Sequence, residues 1–87
     1  MADVLTAEEI AAHFSAMDDS VTLINATVAD DTEALEQFGS AAEVKLMVTR
    51  NTDHLEIQAA KDWYSDSSKS KTPYTNAVTA GKAYVAA

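Results

Sequence analysis

Apolar residues in the first third of the chain recur at the spacing of an α-helix. Between Ile10 and Val28 they follow steps of four and three residues, which is the a/d pattern of a helix that packs along one face. Thr6 and Glu9 form a capping-box sequence, which marks a helix start. The pattern predicts a helix at about residues 7–29. Its apolar seam consists of Ile10, Phe14, Met17, Val21, Ile24 and Val28.

Two further capping signals divide the middle of the chain. The run Asp30-Asp31-Thr32 predicts the start of a short helix at about residues 32–38, because Gly39 follows at a position where glycine ends helices. Ser40 and Glu43 form a second capping-box sequence and predict a helix at about residues 41–64. Its apolar face carries Val44, Val48, Leu55 and Ala59, with Trp63 at the edge and Asn51 as a polar member. The two long segments have similar lengths and a short connection, which predicts an antiparallel hairpin.

The end of the chain predicts a last helix after a polar linker at residues 65–72. Thr72 and Pro73 suit the N-cap and first position of a helix at about 73–86, because proline's missing amide costs nothing there. Its apolar side carries Tyr74, Ala77, Val78, Gly81, Tyr84 and Val85. Gly81 would allow another helix to approach closely. We therefore predict a single all-α domain over residues 1–87, with the C-terminal helix packed beside the hairpin.

Both long helices also carry apolar residues away from the predicted hairpin contact. Ala12, Ala16 and Leu23 form a second stripe on the first helix, and Leu46, Ile57 and Tyr64 form one on the third. An isolated hairpin buries one face of each helix, and two short helices are too small to cover both outer stripes. This pattern predicts docking onto a partner or self-association as a homo-oligomer.

Four aromatic residues fall in the last 25 positions, and they have two interpretations. They can hold the C-terminal helix against the hairpin, or they can form an interface, where Trp and Tyr are enriched. With the second stripes, they give the interface candidates Leu23, Leu46, Ile57, Trp63, Tyr64, Tyr74 and Tyr84.

The charges are divided unevenly along the chain. The first 44 residues contain ten acids and no Lys or Arg, whereas all six bases lie from Lys45 onward beside four acids. The halves therefore carry about −10 and +2 and should attract each other. A net charge of −8 without a basic cluster argues against nucleic-acid binding.

Composition narrows the setting further. With 47% hydrophobic residues the chain suits a folded domain, and the lack of cysteine removes disulfides and thiolate chemistry. No apolar run approaches the roughly 18 residues that span a bilayer, so no membrane association is expected. The acidic N-terminus does not resemble a signal peptide, which predicts a protein that is not secreted.

Residues that could carry chemistry do not form a recognisable site. Asp18 and Asp19 point about 100° apart on a helix, and Asp30 and Asp31 suit a cap. The two histidines, His13 and His54, are expected to be structural or on the surface. There is no phosphate-binding glycine loop and no EF-hand sequence. We predict no enzyme activity and no catalytic, cofactor-binding or metal-binding residue.

Three segments of the second half share a pattern with a known group of proteins. Residues 50–57, 60–63 and 80–84 read RNTDHLEI, AKDW and AGKAY. This resembles small, acidic, helical proteins encoded by tailed bacteriophages, over roughly residues 44–85. The resemblance implies a minor virion protein, found in the particle or in the cytoplasm of the infected cell, and it transfers no catalytic residue.

Together these features predict a structural or interaction protein of a tailed-phage particle. It would act as a capsid decoration or a head or tail accessory protein, with other virion proteins or a second copy as partners. The alternative is a soluble acidic regulator, or a mimic of nucleic acid, that blocks a host protein. Such a mimic should present regular rows of acids on an exposed face.

Overall fold

The computed structural model describes residues 5–87 and contains five α-helices over this range. They are α1 (Ala7–Ala29), α2 (Thr32–Phe38), α3 (Ala41–Ala59), α4 (Asp62–Ser67) and α5 (Thr72–Ala86). No strand is present between residues 5 and 87, and the predicted all-α fold is confirmed.

The helix starts and stops follow the capping signals of the sequence. Thr6 Oγ1 accepts from the Glu9 amide at 3.1 Å, and Glu9 Oε1 accepts from the Thr6 amide at 3.0 Å, which completes the capping box of α1. Ser40 caps α3 by accepting from the Glu43 amide at 3.2 Å. Gly39 ends α2 with a φ of 85°, in the left-handed region that glycine adopts without strain.

The two long helices form the predicted antiparallel hairpin. Phe14, near the start of α1, packs edge-on against Trp63, which follows α3, with 5.2 Å between the ring centroids. Farther along α1, Ser20 Oγ lies 2.9 Å from Nδ1 of His54 on α3. Residue numbers therefore rise along α1 as they fall along its partner.

α5 is a full third member of the bundle and runs parallel to α1. The Tyr74 hydroxyl donates to Asp18 at 2.7 Å, and the Tyr84 hydroxyl donates to Asp31 at 2.9 Å. The later residue of α5 contacts the later residue of the α1 region, so the two helices run in the same direction. α5 therefore lies along α1 from its middle to its end. The helix also packs against α3, so the architecture is a three-helix bundle with two short helices at its ends.

The core lies where the three main helices meet and contains polar as well as apolar side chains. Its buried apolar members are Met17, Ile24, Val44, Val48, Leu55, Tyr64, Tyr74 and Ala77. Ser20, Thr27 and Thr52 are buried too. The two threonines donate to backbone carbonyls of their own helices, and Ser20 is bonded to His54. The polar core member of α3 is thus Thr52, not Asn51 as predicted, and the half-buried Asn51 donates to Met47 O.

The predicted third helix is divided into two. α3 ends at Ala59 instead of residue 64, and α4 occupies part of the predicted linker at 65–72. The last amides of α3 bond three residues back, from Ala60 to Ile57 and from Lys61 to Gln58, which tightens the final turn. Lys61 is then extended, with φ −75° and ψ 149°.

This break turns the aromatic pair of α4 towards the core. Tyr64 is only 1% exposed, so the prediction that it lies on the outer stripe with Leu46 and Ile57 is wrong. The break contains no glycine or proline, and we attribute it to burial of Tyr64 against the Phe14 and Tyr74 rings. α5 begins at Thr72, with Lys71 rather than Thr72 as its N-cap and proline in its first turn.

The close approach predicted at Gly81 is present. A Cβ atom at this position would lie 2.5 Å from Thr52 Cγ2 and 3.2 Å from both Ile24 Cγ2 and Val48 Cγ1. Gly81 therefore sits where α5 touches α1 and α3 together, and a larger residue would push the three helices apart.

We expect Gly81→Ala to destabilise the protein by up to about 2 kcal/mol. Overpacking a core costs about 1–3 kcal/mol, and the better helix propensity of alanine returns about 1 kcal/mol. Urea unfolding followed by circular dichroism measures the difference. The matched control is Ala83→Gly on the exposed side of α5, which changes propensity alone. In a Thr52→Ser background, where the nearest methyl is missing, Gly81→Ala should cost less, and an equal cost would contradict this packing.

Candidate interaction surface

The aromatic candidates form a cluster that is mostly internal. Phe14 of α1 packs edge-on against Tyr64 with 5.3 Å between centroids, and Tyr64 packs edge-on against Tyr74 at 5.9 Å. Tyr64 is 1% exposed and Tyr74 2%, so both belong to the core. Of the two interpretations of the aromatic residues, these two side chains fit the one in which they hold α5 against the hairpin.

The other two aromatic candidates are half-buried. Trp63 lies at the edge of the cluster, where its ring stacks on His13 with 5.0 Å between centroids and an interplanar angle of 21°. Tyr84 is half-buried near the end of α5 and is held by its bond to Asp31. Each retains some exposed surface, but each is already engaged within the chain.

The two oppositely charged halves are joined by tyrosine hydroxyls. Tyr74 donates to Asp18 and in turn accepts from Lys69 Nζ at 3.1 Å, so one hydroxyl lies between the carboxylate and the ammonium. Over residues 5–87 the one ion pair is Lys82–Glu56 at 3.0 Å, and both its members come from the second half. The expected attraction between the halves thus produces no direct ion pair in this part of the chain.

The tyrosine contacts change the acidity of the hydroxyls. Burial raises the pKa of Tyr74 well above its usual value, and the bond to Asp18 and that residue's negative charge raise it further. Burial, with the bond to Asp31 and its charge, raises the pKa of Tyr84 in the same direction. The pKa of Tyr64 is raised mainly by burial. All three hydroxyls therefore remain protonated donors at neutral pH.

Three of the predicted interface residues are exposed on the long helices. Leu23 is 49% exposed, Leu46 42% and Ile57 56%. Leu46 and Ile57 are eleven positions apart on α3, which places them about 16 Å apart on one face. Arg50 and Asp53 lie between them on that face, so the outer stripe of α3 alternates apolar and charged groups.

Leu23 belongs to a groove that the sequence did not reveal. The groove has a volume of about 550 Å³ and is formed by the last turns of α1, by most of α2 and by Met47 of α3. Leu23, Phe38 and Met47 contribute its large apolar side chains. Asp30, Glu33 and Glu36 also line it. We call this the α2 groove.

Phe38 and Val28 are exposed apolar residues that were not singled out as interface candidates. Phe38 is 40% exposed because it ends α2, a helix without a buried residue. Val28 is also 40% exposed, since Thr27 takes the buried position in the last turn of α1. Sequence periodicity placed Val28 in the seam, and only the position of α3 and α5 distinguishes it from Thr27.

One contact has the composition of a catalytic pair, namely Ser20 with His54. Ser20 is 4% exposed and lies in the core, where a substrate has no access to its hydroxyl. Within the described residues, no three His, Cys, Asp or Glu side chains are grouped as metal ligands require. In the same range no helix has the length and apolar character needed to cross a membrane.

No protein-family model, curated protein or solved structure matches the chain. The resemblance to tailed-phage proteins therefore stays a prediction from residues 50–57, 60–63 and 80–84.

We expect the protein to lose stability as the pH rises above about 10. The unfolded chain releases its tyrosine protons near pH 10, whereas the folded chain holds them to higher pH, so deprotonation favours unfolding. The contribution of the protonated tyrosines to the free energy of unfolding is complete below pH 10. It is lost as the pH rises through the pKa of each tyrosine in the folded chain. Tyrosinate absorbance and helical circular dichroism, recorded in one alkaline titration, should change together.

Asp18→Asn tests the contribution of the Asp18 carboxylate to the raised pKa of Tyr74. Removing the carboxylate should let Tyr74 ionise at lower pH, because a negative neighbour no longer opposes its charge. The control is Asp19→Asn, which neutralises an exposed neighbour and leaves the Asp18–Tyr74 bond in place. Identical titrations for both variants would show that Asp18 does not set this pKa.

Proposed function

We propose that the chain is a non-enzymatic interaction protein that docks onto a larger protein assembly through its exposed apolar side chains. The observation that carries this proposal is the set of large apolar residues left 40–56% exposed on a bundle whose core is otherwise filled. Its members are Leu23, Val28, Phe38, Leu46 and Ile57. Within the described residues no buried side-chain polar atom lacks a partner, so the interior offers no polar group waiting for a ligand.

The short helices leave these residues uncovered. α4 folds back towards Phe14 at one end of the bundle, and α2 forms a groove wall at the other without burying a residue. The outer face of α3, with Leu46 and Ile57, has no helix over it among residues 5–87. Burial of both side chains against a partner would remove apolar surface from water, which is favourable at about 25 cal/mol per Å².

The resemblance to tailed-phage proteins supplies the proposed setting. In that setting the protein is a virion component, such as a capsid decoration or a head or tail accessory protein, and its partners are other virion proteins or further copies of itself. Leu46 and Ile57 would contact the partner, while Arg50 and Asp53 between them would fix the register through charge.

We expect the protein to be present in stoichiometric amount in purified phage particles, as measured by quantitative mass spectrometry. The double variant Leu46→Asp/Ile57→Asp should be lost from the particles while retaining its helical circular dichroism, because two new charges would have to be buried on docking. Ala83→Asp adds a charge on the exposed side of α5 and serves as the control. A double variant that is incorporated normally would contradict the proposed docking face.

A second candidate function is supported by the acidic surface. Within residues 5–87, the Lys82–Glu56 pair is the one ion pair, although the chain has 14 acids. Carboxylates that lack cationic partners attract a basic protein. The second candidate is therefore an acidic regulator, or a mimic of nucleic acid, that binds and blocks a host protein.

Localisation separates the two candidates. Absence from particles, together with salt-sensitive capture of one host protein from infected cells, would favour the regulator. Presence in particles at a fixed ratio to a capsid or tail protein would favour the virion component.

A further inference from the structure

The α2 groove combines an apolar interior with carboxylates of one sign. Leu23 is 49% exposed and Phe38 40%, and Met47 of α3 completes the apolar lining. A volume of about 550 Å³ falls in the range of roughly 300–1,000 Å³ that ligand sites occupy. The groove is thus large enough for one or two apolar side chains of a partner.

The carboxylates of the groove are not neutralised within the described chain. Asp30, Glu33 and Glu36 line it, and its lining contains no Lys or Arg. Thr32 holds Asp30 in place by donating from its amide at 3.0 Å and its hydroxyl at 2.6 Å. Glu33 and Glu36 make no ion pair with any residue between 5 and 87. The groove therefore carries negative charge and favours a positively charged ligand.

We infer that the α2 groove binds a cationic segment of a partner protein, in which large apolar residues are flanked by Lys or Arg. The apolar residues would lie on Leu23, Phe38 and Met47, and the flanking cations would face the three carboxylates. A small cation alone would leave the apolar lining exposed. A second copy of this chain, which carries a net charge of −8, fits these three carboxylates less well than a cationic segment does.

This inference rests on the proposed function only in treating the chain as an interaction protein. It concerns a different surface from the outer face of α3 that carries Leu46 and Ile57. Presence in particles with an inactive groove would overturn this inference alone, and a working groove in a protein absent from particles would overturn the virion role alone.

The methionines provide a direct readout of the groove. Met47 lines it, whereas Met17 is fully buried in the core, so methyl-labelled methionine gives a reporter and an internal reference in the same protein. The probe is a synthetic helical peptide with two leucines one turn apart and lysines on both sides. Its controls are the same peptide with glutamate in place of lysine and one with alanine in place of leucine.

We expect the lysine–leucine peptide to shift the Met47 methyl resonance and leave Met17 unchanged. Both control peptides should bind more weakly, and added salt should weaken binding because it screens exposed charges over about 10 Å. Glu33→Gln/Glu36→Gln should raise the Kd roughly three- to tenfold. Phe38→Ala should raise it as well, whereas Ile57→Ala and Glu8→Gln, which alter exposed residues outside the groove, should not.

Three results would overturn the inference. The first is an unchanged Met47 resonance at millimolar peptide, and the second is equal binding of the lysine and glutamate peptides. The third is a Met47 shift that depends on protein concentration without peptide, which would assign the groove to a second copy. If Phe38→Ala loses its helical circular dichroism, Phe38→Leu takes its place. It keeps an apolar side chain and should weaken binding less than Phe38→Ala.

Discussion

The close approach of α5 at Gly81 is the contact on which the rest of the bundle depends. At this point Ile24 of α1 and Val48 and Thr52 of α3 surround a backbone without a side chain. Close packing in a protein interior leaves no room for the missing methyl group. The position of α5 along the hairpin is therefore set by sterics, and its other contacts follow from that position.

The hydrogen bonds between tyrosines and carboxylates follow from this position of α5. Tyr74 lies two turns before Gly81 and Tyr84 about one turn after it, so both reach α1 or the residues just beyond its end. Each hydroxyl contacts a carboxylate, Asp18 or Asp31, without requiring a desolvated charge pair. A neutral donor satisfies a carboxylate at a lower desolvation cost than a buried ion pair would incur. The charge asymmetry of the sequence is thus accommodated mainly by hydrogen bonds, and most acids remain available at the surface.

Local signals in the sequence predicted four of the five helices but not the break that separates α4 from α3. Thr6, Ser40 and Gly39 act within one turn, so capping rules located the starts of α1 and α3 and the end of α2. The end of α3 lacks such a signal. It depends on the burial of Tyr64 among rings from α1 and α5, which is a contact between residues far apart in sequence.

The surface also has parts that local sequence patterns predict and parts that depend on contacts between distant residues. Helical periodicity identified Leu23, Leu46 and Ile57 as lying away from the core, and all three are exposed. It could not combine Leu23 with Phe38, because that requires the orientation of α2 relative to the hairpin. Threonine and valine also have similar shapes, so only the assembled bundle shows that Thr27 is buried and Val28 exposed.

The two ends of the bundle differ in how firmly their short helices are held. α4 contributes the fully packed Tyr64, whose hydroxyl also donates to Ser70 O at 2.8 Å and ties the following loop to the core. α2 buries no side chain, and its N-cap Asp31 makes no capping bond through its side chain. An element with few buried contacts opens at low free-energy cost. The wall of the α2 groove can therefore adjust to a partner without disturbing the Gly81 contact, whereas the aromatic end cannot move without exposing the core.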